Sequence, residues 1–299
     1  MRETDAALIF DARDVVGESI VWDDRRRRLV WVDIIGRRIH RLDPESGAHE
    51  GWPMPGLVTS VGLRRDGGAV VGLCKEIALW DFGGPPRTVA TIEAYKPGTR
   101  LNEGVVAPDG SFWVGTMANN TGPDDAPLDI AGDEGRLYRL GPDGGVTSLS
   151  DDRFGITNTM VWMPDGRFVT ADTMKNVLYS YRWNDSARRL DDRHRYFEGF
   201  ARGLPDGSCI DAEGFVWNCR VVGGGCLVRI APDGTLDRVV DLPCSWPTSC
   251  TFGGADLDTL FVTSARFTMT PEHLAANPAE GGLFSLRPGV RGVAANRFG

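Results

Sequence analysis

Histidine is scarce in this sequence, and its few copies follow no ligand pattern. The four residues, His40, His49, His194 and His273, are scattered and mostly stand beside charged residues. Because no HExxH or other paired-histidine motif occurs, a histidine-rich zinc site is disfavoured. A GxSxG motif is also missing, which argues against a serine hydrolase.

Long apolar segments are missing as well. No apolar run approaches the roughly 20 residues that a membrane-spanning helix needs. The N-terminal segment MRETDAALIFDARD is too charged for a signal peptide. The six cysteines form no CxxC pair and mostly lie in strand-like runs, so we expect reduced structural thiols. These features predict a cytoplasmic protein with no membrane partner.

The sequence also lacks a basic surface of the kind that binds nucleic acids. Its 299 residues include 33 Lys and Arg against 41 Asp and Glu, a formal net charge of −8. Binding to phosphates needs a face rich in Lys and Arg. The one basic run, residues 25–28, stands between two strand-like segments, where a solvated hairpin tip is expected. Nucleic acid is therefore excluded as the partner.

What the sequence does contain is a repeat of short strands. Helical periodicity is nearly absent, and β-rich runs alternate with clusters of Gly, Asp, Asn and Pro. An acidic-Gly turn, an apolar strand and a second strand ending in a turn recur six times; the copies begin at Asp23, Arg64, Ala107, Met163, Asp211 and Gly254. The spacing of about 40–55 residues is typical of propeller blades. The repeat predicts an all-β fold, a six-bladed β-propeller that forms one domain over residues 1–299.

The repeat also aligns six polar positions. Counting back six or seven residues from the acidic residue of each first turn gives Glu18, Thr59, Asn102, Asn158, Asp206 and Ser249. A short apolar strand follows each of them. Because the innermost strand of every propeller blade lines the central channel, these positions are expected to form a ring around one mouth. An alternative is that polar residues precede strands merely because turns do.

The composition of this ring favours a cation. It holds two carboxylates and two carboxamides and no Lys or Arg, and two converging carboxylates repel each other unless a positive charge lies between them. Oxygen ligands suit a hard divalent ion such as Ca²⁺, Mg²⁺ or Mn²⁺, although Zn²⁺ or Fe²⁺ is also compatible. Asp206 belongs to a Pro-Asp-Gly triplet that resembles a surface turn. Its register nevertheless places it with Asn102 and Asn158.

Four separate segments carry a resemblance to a known family. GESIVWD, RLNEGVVAPDGSFWVGTM, TNTMVWMPDG and PDGSCIDAEGFVW resemble, in order and spacing, the signature segments of the gluconolactonase/regucalcin (senescence marker protein) family. The resemblance extends over most of the chain. It implies a six-bladed propeller that uses one divalent metal ion to hydrolyse sugar-acid lactones, such as gluconolactone or a pentonolactone, in carbohydrate catabolism.

By this resemblance Glu18, Asn158 and Asp206 are the metal ligands of the protein. One metal ion can polarise the lactone carbonyl and lower the pKa of a bound water molecule. A base near the metal must then accept a proton, and Asp206 is the candidate for this catalytic role.

The resemblance also implies a set of substrate-binding residues. Arg100 and Asn102 would hold the lactone and its hydroxyls, and Glu103 stands where the family has an acidic residue that also faces the substrate. Some members place a glutamate shortly after the segment GTM, where this chain has Asn120. This departure leaves the identity of the sugar open.

Two other functions are compatible with the same scaffold. One is a metal-dependent esterase or phosphotriesterase of the paraoxonase type, which the lack of histidine near the ring disfavours. The other is a non-enzymatic calcium-binding propeller, since a fold alone does not establish a function. In every case we expect a monomer or a small homo-oligomer.

Overall fold

The fold is known from a computed structural model, which describes residues 6–130 and 132–299. Residues 1–5 and Ala131, which the predicted domain includes, lie outside the described residues. The described part contains 24 strands arranged in six antiparallel sheets of four strands each. The predicted six-bladed β-propeller is therefore confirmed. Its helical segments are one short α-helix, α1 (Pro271–Ala276), and a single 3₁₀ turn (Pro123–Asp125).

Strand β1 (Ala7–Phe10) precedes the first blade. Blade 1 then consists of β2 (Gly17–Asp23), β3 (Arg28–Asp33), β4 (Arg38–Leu42) and β5 (His49–Pro53). Blade 2 consists of β6 (Val58–Leu63), β7 (Ala69–Leu73), β8 (Glu76–Trp80) and β9 (Arg87–Thr91). Blade 3 consists of β10 (Thr99–Val106), β11 (Phe112–Ala118), β12 (Leu137–Leu140) and β13 (Val146–Ser148).

The second half of the ring repeats this order. Blade 4 consists of β14 (Thr157–Trp162), β15 (Arg167–Asp172), β16 (Val177–Asn184) and β17 (Arg189–Glu198). Blade 5 consists of β18 (Leu204–Ile210), β19 (Val216–Val221), β20 (Cys226–Ile230) and β21 (Leu236–Asp241). Blade 6 consists of β22 (Pro247–Gly253), β23 (Thr259–Ser264), β24 (Leu283–Leu286) and, as its outer strand, β1.

Strand β1 closes the ring. It pairs antiparallel with β24, with Ala7 opposite Ser285 and Leu8 opposite Phe284. The sixth sheet therefore combines a strand from one end of the chain with three from the other, and these backbone hydrogen bonds hold the first and last blades together.

The core lies between neighbouring blades. One cluster, which includes Val30, Val71 and Trp80, fills the space between blades 1 and 2, and another around Trp113 and Phe168 fills the space between blades 3 and 4. Strands near the channel are buried on both faces because blades stack on either side of them. This is why they appear as short continuous apolar runs in the sequence.

Every innermost strand contains a bulge. The register against the second strand of the blade shifts in β2, β6, β10, β14, β18 and β22. In β18, for example, Asp206 and Gly207 together oppose the single residue Cys219 between the pairs Pro205–Arg220 and Ser208–Asn218. A bulge bends the strand and redirects its side chains. All six bulges fall at or beside the ring positions, and in blades 1, 3, 4 and 5 these residues line the mouth of the channel.

Two further expectations can be compared with the fold. The six cysteines are free thiols, as predicted. None of the helices among residues 6–130 and 132–299 has the length and apolarity that crossing a membrane requires.

Candidate active site

A cavity of about 530 Å³ opens at the mouth of the channel where the innermost strands begin. Six of the predicted site residues line it; they are Glu18, Arg100, Asn102, Asn120, Asn158 and Asp206. Five of these come from the innermost strands of blades 1, 3, 4 and 5. The sixth, Asn120, lies in the loop of residues 119–134, which follows β11 and covers this face. The side chains are far apart in the sequence, and only the closed ring brings them together.

A chain of hydrogen bonds orients the amide groups at the floor. Asn102 Nδ2 donates to Asn158 Oδ1 at 3.1 Å and to the carbonyl of Thr157 at 3.0 Å. Asn158 Nδ2 donates to Thr173 Oγ1 at 2.8 Å, and Thr173 Oγ1 donates to the carbonyl of Pro205 at 2.8 Å. Because its nitrogen donates to Thr173, the Asn158 amide has its oxygen on the side of Asn102, from which it accepts a hydrogen bond. The chain also links blade 4 to the strand that carries Asp206.

Two carboxyl groups meet at this floor. Glu18 and Asp206 are each 8% exposed, and both line the cavity. Burial, and then the charge of Asp206, raises the pKa of Glu18 well above its ordinary value of 4.5. Burial and the charge of Glu103 raise the pKa of Asp206 above 3.8. Two buried carboxyl groups in one small space repel each other when both are ionised, unless one carries a proton or a cation lies between them.

Arg100 supplies a buried positive charge beside this pair. Nη1 donates to Asn102 Oδ1 and to the carbonyl of Leu101, both at 2.8 Å, and Nη2 donates to Asn120 Oδ1 at 2.9 Å. Burial lowers the pKa of Arg100 to about 10, although the charges of Glu18 and Asp206 act in the opposite direction. Its hydrogen-bond acceptors are all neutral, so its charge is directed to the carboxyl groups and to whatever occupies the cavity.

Glu103 does not join the other six residues. It lines a second cavity, of about 240 Å³, together with Ser19, Ser249 and residues 293–296 of the C-terminal segment. Burial and the charge of Glu18 raise the pKa of Glu103 to about 8. Asn102 and Glu103 are the two residues of the bulge in β10, between the pairs Leu101–Thr116 and Gly104–Val114, and they line different cavities.

Two ring positions also lie elsewhere. Thr59 lines neither cavity, and its hydroxyl donates to the carbonyl of Gly72 at 3.4 Å. Thr248, rather than Ser249, lines the cavity that contains Asp206. The count from the turn is off by one residue there, because β22 forms four residue pairs between the turn and its bulge, whereas β18 forms three.

The repeat did not point to Thr173 and Thr248, two threonines that line the cavity. Thr173 directly follows β15, whose last residue, Asp172, pairs with Thr157. A strand pairing inferred from the repeat would have placed Thr173 beside Asn158.

The wall above this polar floor is apolar. Residues that contribute to it include Ile34, Ile35, Leu128, Met174, Val222 and Phe267. None of the four histidines, all of which are described, lines the cavity. His40, for example, lies against Asp14 and Trp31 in blade 1. Within the described residues there is also no group of three or more His, Cys, Asp or Glu side chains arranged to hold a metal ion.

Fold and site together define a six-bladed propeller with a cavity rich in carboxylate and amide oxygens at one mouth of its channel. Residues 16–266 match the family described as SMP-30/Gluconolactonase/LRE-like region. The chain belongs to this family, and the resemblance that the four segments indicated is confirmed.

Relatives of known name cover nearly the whole chain. It is 34% identical over 289 residues to a 6-deoxy-6-sulfogluconolactonase of Pseudomonas putida, which covers 95% of both chains. It is 36% identical over 259 residues to the pentonolactonase XacC of Haloferax volcanii, which covers 86% of this chain and 84% of that one. Among solved structures, a calcium-binding protein, regucalcin, from Agrobacterium tumefaciens matches with a TM-score of 0.90 and 26% identity, covering 99% and 98% of the two chains.

Proposed function

We propose that this protein is a metal-dependent lactonase that hydrolyses a sugar-acid lactone to the free aldonic acid. The observation that carries the proposal is the buried pair of carboxyl groups, Glu18 and Asp206, on the floor of an open cavity. The relatives named as lactonases support the substrate class. Hydrolysis of a lactone needs a cavity that the substrate can enter, carboxylates and a buried arginine, and this site contains all of them.

The residues at the floor fit a divalent cation. Glu18 and Asp206 offer carboxylate oxygens, and Asn158 offers its amide oxygen because Thr173 occupies the amide nitrogen. A set made only of oxygens suits Ca²⁺, Mg²⁺ or Mn²⁺ better than a thiophilic metal. A cation bound there supplies Lewis-acid polarisation of the lactone carbonyl and lowers the pKa of bound water. Its positive charge also removes the repulsion between the two carboxylates.

The side chains of this protein then have separate tasks. Asp206 accepts the proton of the attacking water and so acts as general base. Arg100 binds lactone oxygens and stabilises negative charge that develops on the carbonyl oxygen in the transition state. Asn102 and Asn120 hold the guanidinium of Arg100 through their amide oxygens, which fixes its direction. The substrate is thereby oriented against a preformed floor.

The test compares hydrolysis of a panel of aldonolactones by the protein with added divalent metal and by the variant Asp206→Asn. The variant keeps the shape of the side chain but lacks the ligand charge and the base. We expect the rate to fall by at least about 10²-fold, the lower end of what a positioned base contributes. EDTA should abolish the activity, and added metal should restore it. Acid release is followed with a pH indicator.

Asp165→Asn is the matched control, because Asp165 is an aspartate of an exposed hairpin turn and does not line the cavity. It should keep full activity, and thermal unfolding should show that both variants are folded. Full activity in metal-free protein would refute the metal dependence of the reaction. If no lactone is hydrolysed with any divalent metal, a calcium-binding propeller without enzymatic activity becomes the better interpretation. The cytoplasmic location stays a prediction.

A further inference from the structure

Three exposed apolar side chains converge on the rim of the cavity from three blades. Leu128 belongs to the loop of residues 119–134, Met174 to the turn between β15 and β16, and Val222 to the turn between β19 and β20. Their exposed fractions are 48%, 50% and 51%. Single exposed apolar residues are ordinary, but three on separate loops around one opening form a patch, and such patches mark binding sites.

The patch continues downward into the cavity. Ile34 and Ile35 of blade 1 and Phe267 of blade 6 extend the apolar wall around it. Charged groups lie at the floor, apart from Asp129, which is exposed on the rim. The cavity is therefore divided into a polar floor that fits a lactone ring and an apolar outer half. For brevity we call Leu128, Met174, Val222 and Phe267 the apolar rim.

Val222 carries an independent signal. Its φ angle is +55°, in the left-handed region that β-branched residues strongly avoid. Glycines occupy the next three positions of the turn, and glycine adopts a positive φ easily. The residue at Val222 is nevertheless a valine. Strain of this kind in an exposed loop points to a functional role for the side chain. The side chain of Val222 faces the cavity rather than the core.

The size of the cavity agrees with this division. A volume of about 530 Å³ falls within the about 300–1,000 Å³ typical of sites for drug-sized ligands. An unsubstituted aldonolactone is much smaller and presents hydroxyls on every side. Such a molecule would leave the apolar half of the cavity without a partner.

We propose that the apolar rim is a subsite for an apolar substituent, so that the preferred substrate is a lactone carrying an alkyl or aryl group on the side away from its carbonyl. The inference rests on the proposed lactonase function and specifies its substrate class. The polar floor binds the lactone ring, and the rim removes the substituent from water. Burial of each methylene favours binding, so even a short chain should raise kcat/KM measurably.

The experiment uses two matched pairs of substrates. Gluconolactone and arabinonolactone are each compared with their O-butyl ether at the terminal hydroxyl, and the ratio of kcat/KM within each pair is measured on the metal-loaded protein. We expect the ether to be favoured about tenfold or more in at least one pair, mainly through a lower KM. In the variant Met174→Ser this ratio should fall toward one.

Val239→Ser is the matched control. Val239 is also an exposed apolar residue, 40% accessible, but it lies in β21 and does not line the cavity. Its variant should keep the wild-type ratio. An equal loss in both variants would refute the role of the rim.

The remaining outcomes separate the two proposals. Hydrolysis of the unsubstituted lactones with a wild-type ratio at or below one would overturn the apolar subsite and leave the lactonase function intact. No hydrolysis of any of the four compounds would overturn both. Gel filtration of the wild type and of Met174→Ser completes the test. If the wild type is a dimer and the variant a monomer, the apolar rim binds a second copy of the chain, and the inference is overturned.

Discussion

Gly207 shows how a single residue positions the catalytic candidate. A Cβ atom at this position would lie 2.8 Å from the carbonyl oxygen of Thr248 and 2.9 Å from Cα of Ser249. Both are backbone atoms, which cannot move aside easily. The Pro-Asp-Gly triplet is therefore not a surface turn. It lies inside β18, and its glycine allows the innermost strands of blades 5 and 6 to approach each other.

Gly207→Ala should therefore lower both stability and activity. Forcing a methyl group against the backbone of β22 is expected to destabilise the fold by about 1–3 kcal/mol. Displacement of the neighbouring Asp206 should also reduce lactone hydrolysis. Urea unfolding and the indicator assay measure the two effects. Gly83→Ala is the control, because a Cβ there meets nothing within 4 Å; comparable losses in both variants would contradict the close-approach explanation.

At the scale of elements, the loop of residues 119–134 is held over the cavity by ion pairs to other parts of the ring. Asp125 accepts from Arg37 Nη1 at 2.9 Å, Asp133 pairs with Lys175 at 2.7 Å, and Glu134 pairs with Lys96 at 2.9 Å. The loop carries Asn120 and Leu128, so its position affects both the polar floor and the apolar rim. Most of these side chains are substantially exposed, and their contribution to global stability is expected to be small.

Arg37→Ala should weaken substrate binding more than folding. The pair with Asp125 is partly exposed, and loss of such a pair is worth up to about 1 kcal/mol, which corresponds to a roughly two- to fivefold increase in KM. The unfolding midpoint should hardly change. Arg195→Ala, which removes an exposed ion pair with Glu198 in blade 4, is the control. The prediction fails if KM is unchanged, or if it rises equally in the control.

At the scale of the whole molecule, residues 291–299 cross the face opposite the cavity and touch five blades. The carbonyl of Arg291 accepts from Ala212 N at 2.8 Å, and Phe298 N donates to the carbonyl of Leu63 at 2.8 Å. Arg297 Nη2 forms ion pairs with Asp23 at 2.7 Å and with Asp24 at 2.6 Å. The segment ties the blades together on the side that has no proposed catalytic role.

Arg297→Ala should lower the free energy of unfolding by about 2 kcal/mol at pH 7, the contribution of a hydrogen bond to a charged group. Burial raises the pKa of Asp23, but hydrogen bonds from Arg297 and Arg26 outweigh this and leave it below its ordinary value of 3.8. A carboxyl group whose pKa is lower in the folded than in the unfolded protein stabilises the fold. This stabilisation is complete at pH values above the pKa of the unfolded state, and it disappears as the pH falls through the pKa of the folded state. The difference between wild type and variant should therefore shrink below pH 3.8.

Urea unfolding between pH 7 and pH 3 measures this difference. Arg287→Ala, which removes an exposed ion pair with Asp258, should show no comparable loss at any pH. A wild-type advantage that stays constant down to pH 3 would contradict the assignment to Asp23.

The repeat made the fold and part of the site predictable. Regular turns and short β-rich runs revealed the six blades, and the count from each turn led to Glu18, Asn102, Asn158 and Asp206, which the structure brings to one cavity. The same count missed Thr248 because the hairpin of β22 and β23 is one residue pair longer than that of β18 and β19, and the turn spacing does not reveal this. It could not separate Asn102 from Glu103 either, since both lie in the bulge of β10, where the regular alternation of side chains is interrupted.

The sequence by itself determined the number of blades, the all-β architecture and the oxygen-rich chemistry of the floor, because these follow from local patterns that recur in every repeat. Only the tertiary structure decided which side chains share a cavity and how that cavity is divided. Leu128, Met174 and Val222 belong to unrelated loops, and they meet only because closure of the ring by β1 and β24 brings all six blades around one axis. A pattern within one repeat carries no information about loops that meet across the channel.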